Sequence, residues 1–129
     1  MTTKEILEKY KKIAVVGLSN NPWRASFGVS RFMQTVGYEI TPVNPNETEV
    51  LGHKAYATID EVPAPLEIVN IFRRPEFVPD IVDAAIRRGA KVIWMQEGVV
   101  HEEAAQRARA AGLDVVMDRC ILKEQMKNF

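Results

Sequence analysis

The chain has 129 residues, 47% of them hydrophobic, and its 17 basic and 17 acidic side chains cancel. This length predicts one domain over residues 1–129. Without net charge there is no broad cationic surface for nucleic acid or membrane, and no segment approaches the roughly 20 apolar residues that span a bilayer. The single cysteine, Cys120, excludes an internal disulfide and favours a reducing compartment, so we expect a cytoplasmic protein.

The first 17 residues predict a helix followed by a strand. Thr2 and Glu5 have the spacing of a capping box, and apolar residues follow at helical intervals, so we expect a short opening helix that packs on a sheet. Residues 13–16 form the continuous apolar run of a strand covered on both faces. Gly17 then lets the chain turn abruptly.

A helix and a second strand come next. Apolar residues at i, i+3, i+4 and i+7 predict a helix over 27–36, with Ser26 as its N-cap and Gly37 as its stop. Residues 38–43 predict the second strand, which ends in a proline-containing turn. Residues 50–56 suggest a short irregular or edge strand.

The rest of the chain continues to alternate between predicted strands and helices. Strands are predicted over 66–72, 91–95 and 113–117, and helices over 78–86 and 102–111. Such alternation favours a parallel sheet with right-handed crossovers. We therefore expect an α/β fold, a Rossmann-like three-layer sandwich with a mostly parallel, doubly wound sheet.

Polar or conformationally special residues follow four of these strands. In a doubly wound sheet the carboxyl ends of the strands meet at one edge, where ligands bind. The candidate ligand-binding residues at this edge are Gly17, Ser19, Asn20, Asn21, Arg24, Ser26, Asn44, Pro45, Phe72, Arg73, Arg74, Gln96, Glu97 and Gly98.

The loop over 17–26 has the chemistry of an anion site. Ser19, Asn20 and Asn21 can donate hydrogen bonds to a phosphate, and Arg24 can form a bidentate pair with it. The start of the following helix adds unpaired N–H groups and the positive end of its dipole. We favour ligand binding here over a solvent-exposed turn.

The same loop argues against NAD. After Gly17 the next glycine is Gly28, so the G-x-G-x-x-G fingerprint is absent. Asn44 follows the second strand, at the position where an acidic residue would be expected to bind the ribose hydroxyls. Both departures weigh against a dinucleotide.

Other charged positions leave two interpretations open. Arg73 and Arg74 either solvate a strand end and pair with nearby carboxylates, or bind an anion. Glu97 either hydrogen-bonds a ligand or faces water. Trp94 and Met95 are expected in the core.

Catalytic arrangements are sparse. His53 and His101 are expected at the surface, and neither a serine nucleophile motif nor an H-E-x-x-H pair is present. Cys120 follows Arg119, which can lower a thiol pKa, but a cysteine without an evident base is more often structural. The sequence therefore favours binding without catalysis.

Five groups of residues succeed one another along the chain: Val16 to Pro22 with Arg24 and Ser26 to Gly28, Pro42 to Pro45, Phe72 to Arg74, Trp94 to Gly98, and Met117 to Cys120. Their order and spacing resemble the small stand-alone CoA-binding proteins over nearly the whole chain. More distantly, the succession resembles the N-terminal CoA-binding domain of the succinyl-CoA synthetase α subunit, with residues 96–98 at its Thr-Glu-Gly turn.

This resemblance implies that coenzyme A, or an acyl-CoA, lies across the strand tips. Its nucleotide and phosphates would lie near 17–26 and 44–46, and Phe72, Arg73 and the 96–98 turn would contact the nucleotide or the pantetheine. The synthetase's phosphorylated histidine belongs to a further domain, so ligase activity is not implied.

One position departs from the synthetase pattern. The synthetase domain has a basic residue just after its second strand, where this chain has Asn46 and Glu47. That phosphate contact would therefore need another cation, such as Arg24, Arg73 or Arg74.

Two alternatives to a noncatalytic CoA-binding module stay open. One is a CoA- or nucleotide-dependent enzyme in which Cys120 or Glu97 takes part. The other is an interaction subunit with a vestigial pocket, which would act with a protein partner or as a homo-oligomer.

Overall fold

Five parallel strands form the centre of the structure, a computed structural model that describes residues 1–129. The strands in chain order are β1 (Lys12–Val16), β2 (Glu39–Val43), the short β3 (Glu49–Val50) and β4 (His53–Lys54), β5 (Ile68–Ile71), β6 (Val92–Met95) and β7 (Asp114–Val116). The helices are α1 (Thr3–Lys9), α2 (Ala25–Thr35), α3 (Val78–Arg87), α4 (Glu102–Ala110) and α5 (Ile121–Asn128).

The strand order in the main sheet is β2-β1-β5-β6-β7, and every pair is parallel. From β1 the chain crosses to β2 on one side, whereas β5 and the later strands lie on the other side. The order therefore reverses between β1 and β5, which opens a crevice at their carboxyl ends. In register, Val16 stands beside both Val43 and Ile71, so three strand tips border this crevice.

Helices cover both faces of the sheet, and the predicted Rossmann-like fold is confirmed. One core contains buried residues of α1, α2 and α5, and the other contains buried residues of α3 and α4. All residues of β5 and β6 are buried, including Trp94 and Met95 as predicted. None of the five helices combines the length and hydropathy needed to cross a membrane.

The opening helix is confirmed with its capping box. The Thr2 hydroxyl accepts a hydrogen bond from the Glu5 N–H at 3.1 Å, and the Glu5 carboxylate accepts one from the Thr2 N–H at 2.8 Å. The hydrogen bond from the Thr2 backbone N–H is the main cause that lowers the pKa of the Glu5 carboxyl, and the Thr2 side chain lowers it further. Ile6 and Leu7 are buried in the core, as the apolar spacing predicts.

The predicted N-cap of α2 is wrong. The helix begins at Ala25, and its N-cap is Arg24, which makes no capping bond through its side chain. Ser26 therefore lies within the first turn and is only 5% exposed. Its hydroxyl points back and accepts a hydrogen bond from the Ser19 N–H at 3.2 Å, so it stabilises the preceding loop instead of the helix end.

Two regions differ in detail from the sequence predictions. In place of the strand expected over 50–56, β3 and β4 form a two-stranded hairpin over 49–54, which turns at Leu51 and Gly52, both with positive φ. No element is predicted after residue 117, whereas the structure has α5 at the C-terminal end. The start of α5 is held by Gln96, 25 residues away in sequence, and no local pattern reveals such a contact.

Candidate functional site

Gly17 brings three strand tips close together. Its N–H donates to the Val43 carbonyl at 2.8 Å, and its φ is +92°. A Cβ built on Gly17 would overlap the Phe72 carbonyl oxygen and lie 3.1 Å from Cδ of Arg73. A glycine is therefore required both for the backbone conformation and for the approach of the β5 tip.

The loop after Gly17 is shaped by its own polar groups. The Asn21 N–H donates to the Ser19 hydroxyl at 3.0 Å, and the Trp23 N–H donates to the Asn21 side-chain oxygen at 3.0 Å. Together with the bond from Ser19 to Ser26, these contacts fix the conformation of the loop. They also leave the indole of Trp23 93% exposed at the surface.

Asn44 joins the loop after β2 to the loop after β1. Its side-chain amide donates to the Leu18 carbonyl at 3.0 Å, and its side-chain oxygen accepts a hydrogen bond from the Asn46 N–H at 2.9 Å. The residue at the position expected for a ribose-binding acid thus stabilises the loops themselves.

A cavity of about 760 Å³ opens at these strand tips. Its walls come from the loops after β1, β2 and β5, and consist of Gly17, Ser19, Arg24, Ala25, Ser26, Asn44, Pro45, Asn46, Glu47, Phe72, Arg73, Arg74 and Phe77. We call this the arginine cavity. Its size is within the range of small-molecule sites.

Five predicted residues are not in its walls. Asn20 and Asn21 belong to the loop but are not among the wall residues, and Asn20 is bonded to the wall residue Glu47; the 96–98 turn lies outside the cavity. Phe77 and Glu47 also line the cavity, although the sequence predicts neither as a ligand contact. Phe77 carries a recognisable signal, since it is a large apolar side chain, 43% exposed, just after the two arginines.

The arginine cavity is cationic although the protein as a whole is neutral. Neither Arg24 nor Arg73 forms an ion pair, and Arg74 lies 3.8 Å from Glu76 in an exposed pair. The guanidinium of Arg73 stacks over the Phe77 ring at 4.2 Å. Such a stacked, unpaired guanidinium keeps its donors free for an anion.

A second cavity of about 540 Å³ adjoins the first and shares Pro45, Arg73 and Phe77 with it. Half of its lining residues are hydrophobic, and it extends between α3 and the 3₁₀ turn Ile59–Glu61. This cavity is not predicted from the sequence, because its walls come from separate segments. The two together form one cleft with a cationic part and a more apolar part.

The turn over 96–98 uses its polar groups to attach α5. Gln96 is 4% exposed, and its side-chain oxygen accepts a hydrogen bond from the Ile121 N–H at 2.9 Å. Glu97 pairs with Lys123 at 3.0 Å, which raises the pKa of Lys123. The Gly98 N–H donates to the carboxylate of Asp118 at 2.7 Å. A ligand contact of this turn stays a prediction.

We expect Gln96→Leu to lower the free energy of unfolding by about 1–3 kcal/mol, because it leaves the buried Ile121 N–H without an acceptor. Urea denaturation followed by circular dichroism measures this change. The matched control is Gln106→Leu, at an exposed position on α4. Equal midpoints for the two variants would show that Gln96 does not hold α5.

The titratable groups considered for catalysis lie outside the two cavities. Cys120 is buried at the N-cap of α5. The imidazole of His101 accepts a hydrogen bond from the Ala104 N–H at 3.1 Å and caps α4, whereas His53 is exposed on β4 as expected. No group of three His, Cys, Asp or Glu side chains is placed to hold a metal ion.

The fold and the strand-tip cleft define a Rossmann-like α/β domain. Over residues 11–126 the sequence matches the family described as CoA binding domain, and the chain belongs to that family. It is 49% identical to the uncharacterized protein YneT of Bacillus subtilis over 118 residues, which cover 92% of this chain and 87% of YneT.

Two further relatives extend the comparison. The solved structure of a hypothetical protein from Pyrococcus horikoshii is 38% identical, has a TM-score of 0.93 and is matched over 98% of this chain and 92% of that one. The α subunit of the ADP-forming acetate–CoA ligase II of Pyrococcus furiosus is 28% identical over 120 residues. The match covers 84% of this chain and 26% of that subunit.

Proposed function

We propose that the protein binds coenzyme A or an acyl-CoA in the strand-tip cleft and catalyses no reaction of its own. The observation that carries the proposal is the arginine cavity, in which Arg24, Arg73 and Arg74 face a crevice at the topological switch point. Membership of the CoA binding domain family supports the choice of ligand.

The chemistry of the cleft matches the two halves of this ligand. Phosphates carry the charge of CoA, and free guanidinium groups bind phosphate through charge-assisted, often bidentate hydrogen bonds. Half of the residues lining the adjoining cavity are hydrophobic, Val43 and Ile81 among them. Its charged residues include Asp60, Asp80 and Asp83, so it suits a part of the same molecule that carries no phosphate. We assign the phosphates to the arginine cavity and an uncharged part to its neighbour.

The enzyme alternative has less support. Cys120 and Glu97 lie outside both cavities, and the Glu97 carboxylate is engaged with Lys123. A group that acts on a bound ligand has to come within hydrogen-bonding reach of it. The binding module therefore remains our leading proposal, and its cytoplasmic location remains a prediction from the sequence.

An interaction subunit is the second candidate. It is favoured by the similarity to a ligase α subunit, of which the match covers 26%. This candidate predicts a stable complex that is recovered from cell extracts on the tagged protein and does not change when CoA is added. A complex that forms or dissociates with CoA would instead assign the cleft a regulatory ligand.

Native mass spectrometry of the protein isolated from cells tests the leading proposal. We expect an added mass equal to CoA or an acyl-CoA, which is lost after washing at high salt because screening weakens the phosphate contacts. A retained ligand of another class, such as NAD or ATP, would contradict the proposal.

A further inference from the structure

Glu47 is the single acidic residue in the walls of the arginine cavity. Its carboxylate accepts two hydrogen bonds from Asn20, from the backbone N–H at 2.7 Å and from the side-chain amide at 3.0 Å. The same amide also donates to the Glu49 carbonyl at 2.7 Å. The loop after β2 is thereby fastened onto the loop after β1, across one side of the cavity.

No cation neutralises this carboxylate, because Glu47 takes part in no ion pair. Its partners are neutral N–H donors, and they belong to the loop that follows Gly17. Donors of this kind, at the tip of a parallel strand, also suit a phosphate. An anion supplied by the protein itself therefore occupies donors that an incoming anion would use.

We propose that Glu47 is an internal competitor for the anion site, a latch whose carboxylate has to leave Asn20 when a phosphate-bearing ligand binds. The inference rests on the proposed use of the arginine cavity for phosphates. A ligand phosphate takes over the Asn20 backbone N–H, and the released carboxylate turns towards solvent. Affinity is lowered by the bonds that are broken and by the repulsion between like charges.

The latch also makes the affinity depend on the negative charge of the ligand. A carboxylate in the cavity wall repels each further negative charge on the ligand, whereas an uncharged ligand part is unaffected. Free inorganic phosphate meets the same repulsion with few compensating contacts. The latch therefore favours ligands that bring additional binding energy from their uncharged parts.

The chain offers a closely matched pair of variants. Glu47→Gln removes the charge and keeps one oxygen for the Asn20 N–H. Glu49→Gln removes the same charge two residues away, on an exposed side chain that makes no hydrogen bond or ion pair. Any difference between them reports the position of the carboxylate and not the net charge of the protein.

Calorimetric titration with inorganic pyrophosphate at low ionic strength tests the latch. We expect Glu47→Gln to bind pyrophosphate about five- to tenfold more tightly than the unmodified protein, the size of a like-charge repulsion across a partly exposed site. Glu49→Gln is expected to change the affinity less than twofold. Equal affinities in both variants would overturn the latch.

The unmodified protein provides a second test that needs no variant. In a ¹H–¹⁵N spectrum the Asn20 amide signals, backbone and side chain, are expected to shift on saturation with pyrophosphate as the carboxylate is exchanged for a phosphate. Unchanged Asn20 signals at saturation, or no pyrophosphate binding to either the unmodified protein or Glu47→Gln, would overturn the proposal.

The outcomes separate the latch from the proposed ligand. If CoA binds and Glu47→Gln behaves as Glu49→Gln does, the proposed function stands and the latch is wrong. If CoA does not bind but Glu47→Gln gains affinity for pyrophosphate, the latch stands and the proposed ligand is wrong.

Discussion

Replacing Gly17 by alanine is expected to lower the free energy of unfolding and to impair ligand binding together. The φ of +92° is strained for any side chain, and the new Cβ would overlap the Phe72 carbonyl oxygen. Backbone strain of this kind costs about 1–3 kcal/mol, and relief requires the β5 tip to move away from β1. Arg73 would move with it, so we expect CoA affinity to fall by at least about tenfold.

Gly28→Ala is the matched control. Gly28 lies within α2, its φ is not in the left-handed region, and a Cβ there would meet no heavy atom within 4 Å outside the backbone of its own helix and its chain neighbours. Because alanine favours helix, this variant is expected to gain about 0.5–1 kcal/mol. Urea midpoints measure both changes. A Gly17→Ala protein as stable as the unmodified one would contradict the required close approach of the strand tips.

Arg73→Ala is expected to reduce the affinity for CoA about tenfold or more while leaving the fold intact. Hydrogen bonds to charged groups contribute about 1.5–3 kcal/mol each, and Arg73 is a half-buried wall residue shared by both cavities. Arg73→Lys should lose less, because it keeps the charge but not the planar fork that stacks on Phe77 and bonds a phosphate through two donors.

The control for these variants is Arg109→Ala. Arg109 is exposed on α4, outside both cavities, and its side chain makes no ion pair. This variant therefore changes the net charge by the same amount as Arg73→Ala but leaves the site unchanged. Its affinity for CoA should stay within twofold of that of the unmodified protein. If Arg73→Ala and Arg109→Ala bind CoA equally well, the phosphates are not bound where we propose.

The periodic spacing of apolar residues explains why so much of the fold is predictable from the sequence. The apolar run at 13–16 and the i, i+3, i+4 pattern from Val78 to Ile86 are local consequences of burial, so they give strand and helix correctly. Alternation of these elements then leads to a parallel sheet, whose strand tips necessarily meet at one edge.

What sequence analysis missed depends on contacts between distant segments. The start of α5 is held by Gln96, and Ser26 is turned inward by its bond to Ser19, so neither follows from a local capping pattern. The pairing of Glu47 with Asn20 joins two loops that are 27 residues apart. The sequence predicts that loops at the strand tips are adjacent. It does not predict which donors and acceptors of these loops form hydrogen bonds with one another.

The same limit applies to the ligand-binding residues. Nine of the predicted residues line the arginine cavity, because strand ends in a parallel sheet have fixed neighbours. The 96–98 turn follows the next strand, β6, and its groups are directed to α5 and to Asp118, which precedes that helix. The position of a turn in the chain places it at the edge of the sheet. It does not determine whether the groups of the turn face the ligand site or another element.

Isothermal titration of the purified protein with CoA tests the central claim most directly, with NAD and ATP titrated alongside. We predict saturable heat with CoA at one site per chain, weakened about tenfold or more by Arg73→Ala. The absence of saturable heat with both CoA and acyl-CoA, or tighter binding of NAD, would contradict the account.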